Sequence, residues 1–120
     1  MSTDLTPDHH YVVISSDCHA GADLADYKPY LDRQFHDEFD AWAKDFTNPF
    51  SDLQEPDADR NWDSDKRTGD LDADGVCGEV IFPNTIPPFF PSGSLAPQPP
   101  TDGRDVELRA AGLTAHNRWL

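Results

Sequence analysis

The chain has 120 residues, and its 9 Lys and Arg against 23 Asp and Glu give a formal charge of −14. No Lys/Arg stripe exists that could neutralise phosphates, which argues against a nucleic-acid partner. No apolar run approaches the roughly 18 residues of a membrane span and no apolar leader opens the chain, so a cytoplasmic protein without a membrane partner is expected.

In chain order, residues 1–10 are polar, contain Pro7, His9 and His10, and read as a frayed arm. Residues 11–16, Tyr11-Val12-Val13-Ile14-Ser15-Ser16, form an apolar run suited to a strand buried on both faces, as in a parallel sheet. A turn over Asp17 to Gly21 follows. From Pro29 the period changes: Leu31, Phe35, Phe39, Trp42 and Phe46 recur at three- and four-residue steps, predicting an amphipathic helix that Asn48-Pro49 ends.

A loop over 47–63 precedes a second helix from Ser64, a candidate N-cap, to Gly75, which suits the left-handed C-terminal position; Gly69 weakens it. Gly78-Glu79-Val80-Ile81-Phe82 then reads as a strand stopped by Pro83. Strand, helix, loop, helix, strand is the order of a parallel α/β unit. A Pro-rich loop over 83–103 and a helical segment from Asp105 to Leu120 complete the chain.

The chemistry-bearing constellation is Asp17-Cys18-His19. In extended backbone residues i and i+2 share a face, so the Asp17 carboxylate and the His19 imidazole project together and can hold Zn2+ or a similar divalent ion. An Asp at a strand end also serves as a turn former or helix N-cap. Placement at the C-terminal end of a parallel strand favours chemistry, because α/β folds put their sites there. Cys18 points to the opposite strand face. Cys18 and Cys77 share no motif spacing and read as reduced residues near strands.

Asp70-Leu71-Asp72-Ala73-Asp74-Gly75 matches the start of a calcium-binding EF-hand loop. Its twelfth position is Ile81, where a bidentate Glu is required, so an acidic helix end followed by its closing glycine and a strand explains the segment better. A small acidic calcium-binding or interaction protein is the competing reading from another class. His36 reads as a surface residue and His116 as one that packs or faces solvent. No nucleotide-binding glycine loop and no nucleophile elbow is present.

Three segments taken together, Val13-Ile14-Ser15-Ser16-Asp17-Cys18-His19-Ala20-Gly21, the run from Asp70 through Gly75-Val76-Cys77-Gly78-Glu79-Val80-Ile81-Phe82-Pro83-Asn84, and Leu113-Thr114-Ala115-His116-Asn117-Arg118-Trp119-Leu120, resemble the N-terminal part of the amidohydrolase-related family of metal-dependent hydrolases, which also contains aminocarboxymuconate semialdehyde decarboxylase. The resemblance implies an α/β fold, the N-terminal part of a (β/α)8 TIM-type barrel spanning 11–120. It implies a divalent metal, Zn2+ first among candidates, held in part by Asp17 and His19, with further ligands from later strands. It implies hydrolysis of a small-molecule substrate, or its decarboxylation as in the family's carboxy-lyases, and a Pro-rich loop that shapes the pocket. Asp17 departs from the commoner H-x-H pattern at its position. A barrel takes about 250 residues, so a chain of this length is expected to be a truncated portion, inactive alone, with exposed strand edges that favour a homo-oligomer.

Overall fold

A computed structural model describes residues 11–47, 55–83, 86–91 and 98–120. The polar arm 1–10, the helix stop at Asn48-Pro49, and Asn84 and residues 92–97 of the Pro-rich stretch lie outside the described residues.

Two strands, β1 (Ile14–Ala20) and β2 (Gly78–Pro83), pair in parallel. β1 begins later than its apolar run suggests and continues through Asp17-Cys18-His19, which the sequence placed in a turn. The cause is pairing: Cys18, His19 and Ala20 find Ile81, Phe82 and Pro83 opposite them, and the ladder carries the chain past the polar tripeptide. The expectation of burial on both faces fails as well. Ile14 is 61% exposed, Val80 48% and Phe82 47%, so one face of this sheet is open and apolar.

After β1, a 3-10 helix over Leu24–Tyr30 starts at Asp23, whose carboxylate accepts from the Leu24 N–H at 2.7 Å. The single helix expected from Pro29 is divided. Leu31 and Asp32 are extended, a short 3-10 turn covers Arg33–Phe35, and the regular helix α1 spans His36–Asp45. The break leaves the Leu31 carbonyl without a helical donor, and His36 supplies one from Nε2 at 3.0 Å. His36 is thereby half-buried and structural.

Helix α2 (Ser64–Asp74) is capped by Asp63, one residue before the predicted Ser64; its side chain accepts from the Lys66 N–H at 3.0 Å. Gly75 closes it at φ 72°, in the left-handed region. Helix α3 (Gly103–Trp119) is capped by Asp102 on the Asp105 N–H at 2.8 Å.

The core lies between α3, α1 and the 3-10 segments rather than on the sheet. Leu31, Phe35, Phe39, Phe89 and Ala115 are buried there, with Leu24, Trp42 and Leu108 against them. Phe89 comes from the Pro-rich stretch and sits edge-on to Phe39, centroids 6.3 Å apart, at φ 71°. A bulky residue in the left-handed region is strained, and burial of its ring among aromatic side chains offsets that cost. Arg118 ties α3 to the preceding elements, donating from Nη1 to the Tyr30 carbonyl at 2.9 Å and to Asp32 at 3.0 Å. Arg104 pairs with Glu38.

Candidate metal centre

The pairing of β1 with β2 is irregular. Ser15 lies opposite Glu79 and Cys18 opposite Ile81, so β1 carries one residue more than β2 between these pairs. This is a β-bulge at Ser16 and Asp17. Glu79 and Ile81 share one face of β2, so Ser15 and Cys18 share the corresponding face of β1, and the Cys18 thiol donates to Ser15 Oγ at 2.9 Å. His19 pairs with Phe82 on the other face, where the two rings lie 6.0 Å apart.

The bulge therefore sorts the strand ends by chemistry. On the helix-covered face, Glu79 accepts two hydrogen bonds from Arg67 of α2, from Nε at 2.5 Å and from Nη2 at 2.9 Å, with side chains only 9% and 21% exposed. The Arg67 guanidinium holds the Glu79 carboxyl below its usual range against the opposing effect of burial, and Glu79 in turn raises Arg67. A cavity of about 350 Å³ lies on this side, lined by Ala20, Arg67, Leu71, Glu79, Ile81 and Trp119. Neither Asp17 nor His19 lines it.

On the open face the predicted pair does come together. His19 Nε2 stands 3.3 Å from Asp17 Oδ1, and the other ring nitrogen, Nδ1, stands 3.4 Å from the Pro83 carbonyl oxygen. A proton on Nδ1 directed at Pro83 leaves the Nε2 lone pair beside the carboxylate, the tautomer that a metal-ligating histidine needs. The side chains are 51% and 84% exposed, so an ion has access. The donor set suits Zn2+ or a similar ion but is partial: among the described residues no group of three or more His, Cys, Asp or Glu converges.

The remaining candidates separate. Asp70, Asp72 and Asp74 lie within α2, where Asp72 falls on a different side from Asp70 and Asp74 and the three carboxylates do not face one point. His116 is buried against Tyr27, far in the fold from a solvent-facing role. Cys18 is half-buried on the face opposite His19, as the alternation suggests, and both cysteines are free thiols. The Arg67–Glu79 pair escaped the sequence reading, because residues twelve apart carry no motif and only the strand register brings them together. No helix among the described residues is long and apolar enough to cross a membrane. No family model, curated protein or solved structure matches the chain.

Proposed function

We propose that this chain is the N-terminal part of a metal-dependent hydrolase of the amidohydrolase-related type, built on a (β/α)8 barrel, in which Asp17 and His19 hold a divalent cation. The observation that carries this reading is the convergence of Asp17 Oδ1 and His19 Nε2 at the C-terminal end of β1, on the sheet face where Ile14, Val80 and Phe82 are exposed. A barrel strand has the same division, helices on one side and inward side chains on the other, with ligands at the C-terminal rim. Ile14, Val80 and Phe82 on the open face supply the apolar side chains that fill such an interior.

A bound divalent ion would supply Lewis-acid activation of water and of a substrate carbonyl. The protein's own groups prepare for it. A hydrogen bond from His19 Nδ1 to the Pro83 carbonyl favours Nε2 as the ligating nitrogen, the Asp17 carboxylate contributes the negative charge, and the Phe82 ring flanks His19. With two donors, the chain by itself is expected to bind the ion without turning over ester or amide substrates.

The test is a Co2+ titration followed by visible absorption. Wild-type chain should bind, and both Asp17→Ala and His19→Ala should weaken binding by about tenfold or more. Equal binding by wild type and the doubly substituted chain would refute the assignment. Calcium titration of Asp72→Ala tests the competing acidic-loop reading: tight Ca2+ binding lost in that variant would replace the proposal.

A further inference from the structure

The bulge at Ser16 and Asp17 decides which face the two ligands occupy. Continued regularly from the Ser15–Glu79 pair, the ladder would set Asp17 opposite Ile81, Cys18 opposite Phe82 and His19 opposite Pro83. A one-residue change of register moves every later side chain to the other face. Asp17 would then lie on the Glu79 side of the sheet, under α2, and His19 with it. The extra residue restores both to the open face and sends Cys18 inward instead.

Four side chains meet where that correction is made. Ser15 stands before the bulge and Cys18 after it, and the thiol donates across it to Ser15 Oγ at 2.9 Å. Ser15 pairs with Glu79, which the Arg67 fork grips at 2.5 and 2.9 Å. A bidentate guanidinium–carboxylate pair with little exposure is geometrically demanding, and it anchors Glu79 to α2 independently of β1.

We infer that Ser15, Cys18, Glu79 and Arg67 are positioning residues: together they lock the bulge and so hold Asp17 and His19 on the open face of the sheet. The metal consequence rests on the reading proposed above; the register consequence does not. None of the four touches the ion. Cys18, between the two ligands in sequence, acts from behind the strand by fastening the backbone that carries them.

The experiment uses Co2+ alone as the probe, together with nuclear Overhauser contacts to Phe82 in the metal-free chain. Ser15→Ala and Cys18→Ala remove the bond across the bulge and leave the Arg67–Glu79 pair in place; Arg67→Met removes the anchor. Each should weaken Co2+ binding about fivefold to tenfold, the range of one lost hydrogen bond, with helix content unchanged. The His19–Phe82 contact should weaken while one from position 18 to Phe82 grows. Cys18→Ser, which keeps a donor, should restore both readouts to near wild type. Retention of the His19–Phe82 contact and of Co2+ affinity within about twofold in Ser15→Ala and Cys18→Ala, where a lost bond predicts more, would overturn the inference. A wild-type chain that shows the His19–Phe82 contact but binds no Co2+ would refute the metal assignment alone, and the same contacts in the variants would still decide the register.

Discussion

Tyr27 and His116, 89 positions apart in the chain, are joined by a hydrogen bond of 3.0 Å between the phenolic oxygen and Nδ1. The Ala22 N–H donates to the same phenolic oxygen at 3.1 Å. Both side chains are buried, and Trp119 packs edge-on to Tyr27 at 5.9 Å between centroids. The pair thus connects the 3-10 segment after β1 to the last turns of α3. Tyr27→Phe keeps the ring and removes the oxygen, leaving the Ala22 N–H and the His116 nitrogen short of a partner. It should lower unfolding free energy by about 1–3 kcal/mol, read from chemical denaturation.

The same pair predicts a pH dependence. Burial pushes the His116 pKa below the ordinary value of 6.5, so the folded chain keeps the ring neutral where the unfolded chain would protonate it. Between the unfolded pKa and the lower folded one, the unfolded state binds the extra proton, and stability falls as pH drops through that window. Thermal midpoints should therefore decline from near pH 6.5 downward and level off below the folded pKa. In His116→Gln this limb should flatten. An unchanged slope in that variant would contradict the assignment.

The acid limb at lower pH belongs to Glu79. Its hydrogen bonds from Arg67 depress its pKa from 4.5, so its contribution is present above that value and is lost as pH falls through the folded pKa. Glu79→Gln should lower stability at neutral pH, because it leaves Arg67 half-buried without its counter-charge, yet lose less on further acidification than wild type does. Denaturation midpoints followed from neutral pH into the acid range would show the two curves converging as the Glu79 carboxylate is protonated.

Local chemistry made part of this structure legible in the sequence. The left-handed close of α2 at Gly75, the strand at Gly78 and the i, i+2 approach of Asp17 and His19 all follow from neighbours within a few residues. What depended on long-range pairing was out of reach. The extension of β1 to Ala20 needs the partner β2, the break at Leu31 needs the core that both extended Leu31 and Phe35 of the following 3-10 turn enter, and the capture of Phe89 by Phe39 needs a fold already assembled. The bulge is the sharpest instance. Strict alternation puts Asp17 and His19 on one side of the strand, but only the register against Glu79 and Ile81 says which side of the sheet that is.

Two glycines in helices give predictions of opposite sign. In a helix interior, alanine is favoured over glycine by about 1 kcal/mol. Gly69 in α2 is exposed, and a Cβ there meets nothing within 4 Å, so Gly69→Ala should gain about that amount. Gly112 in α3 is buried against Pro88. A Cβ there would run into the Pro88 carbonyl oxygen and stand 2.9 Å from its carbon, and that neighbour is backbone of a fully buried residue with no side chain to swing aside. The turn bearing Pro88 also carries the strained Phe89, whose ring is part of the core, so relief of the clash would have to move that ring away from Phe39. Gly112→Ala should therefore be destabilising by about 1–3 kcal/mol despite its better helix propensity. Denaturation of both variants decides the matter: a gain at both positions would mean that α3 does not approach the Pro88 turn so closely.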